Sequence, residues 1–389
     1  MGTILEGTRV IDLSVARAGP HAVRQLAEFG ATVTRIEIPN DTSAVGQDHH
    51  GSDYINLHGN KRLITIDLKQ PEGHEIFLHL LKGADILVEN FRPPVKAELG
   101  IAFPDLAPLF PRLIYASISG FGQTGPLAER GAVDQIIQGS AGLMSITGTT
   151  DQGPTRAGIA LADMAAGSLL TNGILLALLD RQESGLGQWV QISLLEATIS
   201  FLDFQAARWV IDGDDPGPVG NDHPTLTPMG TFSASDGYLN VAAPSDRLWT
   251  RLCRALDSPE LAADGAFSTV LLRHENKEEL KKRLQDRFSM RTRAEWVGLL
   301  EEAGVPCGPV NSVSEVFADP QVVHLEMTSR IDHPTRGEIS VLRNPLTFSR
   351  SERATKTAAP VPSQNTNEIL EELGYSGEHI SDLRERGVI

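Results

Sequence analysis

Apolar positions in the first 120 residues come in short runs rich in β-branched side chains, each followed by a stretch with helical spacing. Arg9–Ser14 (RVIDLS) predicts a strand. Pro20 suits the first turn of a following helix, where its missing N–H leaves nothing unpaired. Ala22–Phe29 continues that helix to Gly30, a residue fitted to a left-handed stop. Thr32–Ile38 completes a βαβ unit, Leu63–Leu68, Asp85–Val88 and Arg112–Ser117 predict further strands, and Pro71–Lys82 predicts a helix. This alternation predicts an α/β fold with a mostly parallel sheet covered on both faces. In such a sheet the loops at the carboxyl ends of the strands meet ligands. Three of them are chemically loaded: Ala16–Pro20 (ARAGP), Glu89–Pro93 (ENFRP) and Ser119–Pro126 (SGFGQTGP).

The pattern breaks over Asp212–Thr227, dense in Gly, Pro and Asp. Beyond it, Gly230–Ala242 predicts a hairpin turning at Asp236-Gly237. Helices are predicted over Ser245–Ala255, Glu275–Phe288 and Arg293–Ala303, which makes 225–325 a smaller α+β domain. A second hairpin over Arg330–Phe348, a polar connection over Arg350–Gln364 and two short amphipathic helices, Thr366–Leu373 and Gly377–Arg386, follow.

Charge narrows the function classes. Among 389 residues, 34 Lys and Arg stand against 50 Asp and Glu, a formal net charge of -16. Nucleic-acid affinity rests on Lys and Arg neutralising phosphates, so no nucleic-acid partner is expected, although a few local cations suffice for a small anionic ligand. The longest useful apolar run, Gly173–Leu179, is far short of the ~20 residues a bilayer span needs. The start, MGTILEGTRV, has no basic region leading into an apolar core, so no membrane partner and a cytoplasmic location are expected. Cys253 and Cys307 form no CxxC pair and read as small buried hydrophobes. His49 and His50 beside Asp48 and Asp53 lack ligand spacing, so no metal is expected. With no GxGxxG after the first strand, and no GxxxxGK[ST] or GxSxG, ordinary nicotinamide, P-loop and serine-hydrolase readings are disfavoured.

Asp163 is the main candidate for chemistry. It stands in AGIALADMAAG, directly before a charge-free, Ala- and Leu-rich stretch that predicts a buried helix. A carboxylate there is either a helix cap or a nucleophile kept ionised by the helix dipole, with small neighbours that let a ligand approach. Arg92 offers a fork for phosphate and Phe91 a face for a flat ring, against the alternatives of a surface ion pair and a core aromatic. The Gly120-Phe121-Gly122 loop exposes backbone suited to a reactive centre, and an ordinary turn explains it as well. Asn60-Lys61-Arg62 reads as phosphate contacts or as a solvated charge cluster.

Taken in order, GTRVIDLSVARAGP, ATVTRIE, NKRLITIDLK, ADILVENFRP, SISGFGQTGP, ALADMAAG, GQWVQISLLEA, FSASDGYLNVAA, EEAGVPCGPVNS and EILEELGYS resemble the class III CoA-transferases over almost the whole chain. That family contains formyl-CoA transferase, carnitine CoA-transferase and α-methylacyl-CoA racemase. The resemblance implies a large Rossmann-like CoA-binding domain over 1–220, the small domain over 225–325, and a segment over 326–389 that returns to the large domain. It also implies two ring-like protomers interlocked as a homodimer. No permanently bound cofactor is implied; coenzyme A enters as acyl-CoA substrate, with a small carboxylic acid as its partner. By position, Asp163 matches the family's catalytic aspartate, which forms an acyl anhydride and then a CoA thioester. Gly120, Phe121 and Gly122 match the loop expected to steady developing negative charge, and Asp134 an acidic position near the active site. Arg17, Ala18, Lys69, Asn90, Phe91, Arg92 and Lys96 match CoA contacts. Val133 replaces the histidine base of the racemase branch, which favours transferase over the alternatives of racemase and non-catalytic CoA-binding subunit. Pro224–Gly230 replaces the glycine-rich loop of formyl-CoA transferase, so formate and oxalate are not expected as defining substrates. Arg17, where formyl-CoA transferase has glutamine, is expected near the acyl pocket, in reach of a second substrate carboxylate. Ile38 stands where some relatives carry a CoA-contacting arginine, and Ser363 where many carry glycine.

Overall fold

The computed structural model describes residues 2–39, 48–354 and 356–389. Its main sheet contains β1 (Arg9–Asp12), β2 (Thr32–Glu37), β3 (Lys61–Thr65), β4 (Ile86–Glu89), β5 (Ile114–Ser119) and β6 (Trp189–Ser193). All five pairings are parallel and the order is β3-β2-β1-β4-β5-β6. The chain starts in the middle, winds to one edge, then returns and winds to the other. Between β1 and β4 the winding reverses, which opens a crevice at the strand ends. Burial on both faces explains the unbroken apolar runs, and β4 is buried at every position.

The helices α1 (Ala18–Glu28), α2 (Ser52–His58), α3 (Pro71–Leu81), α4 (Pro93–Glu98), α5 (Phe103–Leu106), α6 (Asp134–Ser140), α7 (Leu161–Ser184) and α8 (Leu194–Phe201) belong to the same unit. One core holds Val23 and Leu26 of α1, Ile137 of α6, and Ala166, Leu170 and Ile174 of α7. Another joins Ile76 and Phe77 of α3 to Leu370 and Leu383 of the terminal helices Thr366–Glu372 and Gly377–Glu385. Residues 1–144, 156–215 and 326–389 form this unit, including the antiparallel pair β10 (Thr328–His333) and β11 (Gly337–Leu342). Ser145–Thr155 and Pro216–Leu325 form the second. There β7 (Met229–Ala234), β8 (Gly237–Ala242) and β9 (Cys307–Pro309) make an antiparallel sheet under the helices Asp246–Ala255, Lys277–Phe288 and Arg293–Glu302.

Two expectations change. The strand predicted from Leu63 begins at Lys61, which is not part of a solvated cluster. Its ammonium is buried, 2.9 Å from Asp12 Oδ2, beside the Arg35–Glu37 ion pair. Arg62 alone of that cluster's two cations pairs at the surface, with Glu372. Counting only unbroken apolar runs also understated α7. By length and composition this 24-residue helix is long and apolar enough to cross a bilayer. Its contacts are those of a core helix: it packs on α1, α6, α8, β5 and β6. Leu175, Leu176 and Leu179 form an exposed stripe on it.

Candidate active site

A cavity of about 410 Å³ opens at the carboxyl ends of β1 to β4, lined by Val15, Ile38, Asp67, Lys69, Phe91 and Val95 among others. It sits where the sheet order reverses. Asn90 bridges that crevice: its side-chain oxygen accepts from Val15 N–H at 2.9 Å and its amide nitrogen donates to Val15 C=O at 2.8 Å. Both polar ends of Asn90 therefore hold the β1 loop to the β4 loop. Lys69 is exposed at the cavity and Phe91 half-buried, with the Phe91 N–H donated to Glu89. Arg92 is exposed and reaches the backbone C=O of Glu129 at 3.5 Å. Lys96 departs from the expected CoA contact. It is only 3% exposed, its ammonium donates to Glu89 and Gln123, and the Tyr115 and Trp189 rings cover it. Unpairing the buried Glu89 carboxylate opposes turning this cation outward.

Asp163 lies in the first turn of α7, and its side chain caps nothing. The cap comes from another helix. Asp134, the first residue of α6, accepts the Ala162 N–H on Oδ1 at 2.8 Å and the Gln138 amide on Oδ2 at 2.7 Å. A free N–H of α7 is thereby satisfied from 28 residues away. The Asp163 carboxylate is left without a hydrogen-bond partner among the described residues. Burial, and then the negative charge of Asp134, push its pKa up to about 6, while Arg17 opposes the rise. At neutral pH the group is mostly ionised yet more basic than an ordinary aspartate.

Arg17 reaches this neighbourhood because α1 and α7 touch backbone to backbone. Gly167 lies one turn beyond Asp163, and a Cβ added there would stand 2.6 Å from the C=O of Ala18 and 2.9 Å from His21. Ala18, buried, opens α1 beside the Arg17 cap position. Arg17 Nη2 donates to both oxygens of Asp53, at 2.7 and 2.6 Å. The glycine loop is equally close-packed: a Cβ on Gly120 would meet the Ala132 Cβ at 2.5 Å, and Gly122 has φ +106°. Gly122 N–H already donates to Ser119 Oγ at 3.1 Å, and the Arg130 guanidinium lies over the Phe121 ring. Val133 is 65% exposed just before α6.

The structure thus brings together Asp163, Asp134, Arg17 and Ala18, and gathers Lys69 and Phe91 at the cavity. Sequence reasoning missed Asp53 as the partner of Arg17, Gln138 as the partner of Asp134, and Arg156, 3.9 Å from Asp134 Oδ2. No local periodicity marks these pairs. His49 pairs with Glu37 and His50 with Thr335, and the described residues contain no group of three or more metal-ligating side chains.

The sequence model of CoA-transferase family III matches residues 5–366. The chain is 34% identical to the human succinyl-CoA:glutarate CoA-transferase, over 99% of this chain and 90% of that one. It is 36% identical to the acetyl-CoA:oxalate CoA-transferase of Acetobacter aceti, over 88% and 89%. A crystal structure of a CAIB/BAIF family protein from Brucella suis superposes with a TM-score of 0.86 at 33% identity, over 96% of this chain and 100% of that one. With its six-stranded parallel sheet and this match along nearly its full length, the chain belongs to the class III CoA-transferases and is an enzyme of CoA transfer.

Proposed function

We propose that the chain exchanges CoA between carboxylic acids through covalent intermediates on Asp163. The observation that supports this most is the Asp163 carboxylate, which has no hydrogen-bond partner among the described residues, with Asp134 taking over the capping of α7. An Asp163 oxygen attacks the thioester carbonyl carbon of an acyl-CoA; the C–S bond breaks, leaving an aspartyl–acyl anhydride and the CoA thiolate. The thiolate then attacks the aspartyl carbonyl, which releases the first acid as carboxylate and leaves an aspartyl–CoA thioester. An incoming carboxylate attacks that thioester to form a second anhydride and free the thiolate. Attack of the thiolate on the new acyl carbonyl yields the product acyl-CoA and returns Asp163. The raised basicity of Asp163 favours the first attack, and backbone N–H groups of the Gly120-Phe121 turn are the donors for the developing oxyanion.

CoA would lie with its adenosine end toward Lys69 and Phe91 in the strand-end cavity, and its thioester at Asp163. One relative's name carries succinyl-CoA and glutarate, which favours a dicarboxylic acid on at least one side of the exchange; another carries oxalate, the diacid that the Pro224–Gly230 segment disfavours here. Two copies would associate through the stripe of α7 and the neighbouring Phe201, Trp209, Val210 and Ile211, all exposed on the single chain. Intact mass spectrometry tests the chemistry. Mixed with succinyl-CoA, the wild type should gain a CoA-sized adduct that disappears on adding an acceptor acid and is absent in Asp163→Ala. No adduct, and no exchange in solution, would overturn the covalent route.

A further inference from the structure

We infer that Arg17 and Asp53 form the subsite for the second carboxylate of a diacid, with Arg17 contacting that carboxylate and Asp53 positioning Arg17. The inference rests on Asp163 being the nucleophile. Arg17 occupies the cap position of α1, and the residue before it, Ala16, has φ 59°, a left-handed conformation unfavourable for alanine. Such strain persists where the surroundings impose it, and it is concentrated at functional positions. Both Asp53 oxygens sit on one nitrogen, Nη2. Arg17 Nε and Nη1 have no partner among the described residues, so one edge of the planar fork is open to a second carboxylate.

Asp53 stands on a firmly seated helix. The next residue, Tyr54, is 1% exposed with its hydroxyl on Glu37, and His58 is buried against Lys61. The ion pair itself remains accessible, with side chains 31% and 50% exposed, so a substrate reaches it without unfolding anything. A pair this exposed adds little to stability, which removes the structural reason for holding an arginine there. The remaining argument is charge. Asp163, Asp134 and Asp53 make the neighbourhood acidic, and a second substrate carboxylate is repelled unless a cation receives it. Arg156 lies 3.9 Å from Asp134, and the Gly167–Ala18 contact fixes the start of α1, next to Arg17, against the first turns of α7 that carry Asp163.

Succinyl-CoA and butyryl-CoA, equal in chain length and differing in one carboxylate, give the test. The rate of adduct formation on Asp163 is measured for both donors in wild type, Arg17→Gln, Arg17→Lys and Asp53→Asn. Their affinities are measured by calorimetry in the Asp163→Ala background. The wild type should prefer succinyl-CoA, and Arg17→Gln should lower that preference about 10- to 100-fold, the range for losing a charge-assisted hydrogen-bonded pair. Arg17→Lys should keep part of it. Asp53→Asn should weaken the preference mainly through KM on succinyl-CoA, with a smaller change on butyryl-CoA. An equal preference in wild type and Arg17→Gln overturns the subsite, and equal loss with both donors in Asp53→Asn overturns its positioning role. If no adduct forms but the calorimetric preference still depends on Arg17, the subsite stands and the covalent reading falls.

Discussion

Asp163 and Asp134 divide between them what one residue often does at a helix start. One carboxylate satisfies the backbone, and the other is left for chemistry. Two measurements follow from the proton affinity of Asp163. Its folded-state pKa, about 6, lies above the ordinary value, so the folded protein binds the proton more tightly than the unfolded chain. The ionised form therefore opposes folding: stability falls as pH rises from about 4 to 6 and the deficit persists above. Asp163→Asn should thus abolish exchange while raising stability at pH 7.5 by roughly 1–2 kcal/mol after solvent screening, and the gain should vanish near pH 4. Thermal unfolding across that range reads it. Exchange by the wild type should rise with pH through about 6, and Asp134→Asn, which keeps an oxygen for Ala162 but removes the charge, should shift that inflection downward. An unmoved pH–rate profile would show that Asp134 acts through the cap alone. Asp163 is legible in sequence because it is the one charge in an apolar stretch, with the small residues Ala162, Ala165, Ala166 and Gly167 around it. The cap from Asp134 is not, since a contact across 28 residues leaves no periodic trace. Ser363 is a similar case: its φ of 58° is a left-handed conformation that glycine adopts without strain.

At the scale of elements, the alternation of strands and helices made the parallel sheet legible, as did the loops at its carboxyl edge. The strand order was not, because every β-branched run fits several positions in such a sheet. Lys61 was misjudged for the same reason: only the folded neighbourhood supplies Asp12 for its charge. The crossing of α1 and α7 carries the element-scale prediction. Gly167→Ala should push the helices apart, costing about 1–3 kcal/mol as overpacking does. It should also reduce exchange more than the stability loss accounts for, because it moves Asp163 relative to Arg17. Calorimetric unfolding together with initial rates separates the two effects.

For the whole molecule, apolar side chains of α7 and of the segment after α8, all within one unit, are exposed on the single chain. Sedimentation velocity should show twice the mass of the chain. A paired Leu176→Asp and Trp209→Asp substitution should halve it, with secondary structure retained in circular dichroism. A wild type that sediments as a single chain would assign this surface elsewhere.

The touching backbones of Gly167 and Ala18 also act as a gauge. The spacing of the two backbones that carry the reacting carboxylate and the arginine fork is set there, and the side-chain torsions of Asp163 and Arg17 span the rest. Resetting the two helices would therefore move the carboxylate and the fork with their backbones, which enlarging the pocket wall would not do.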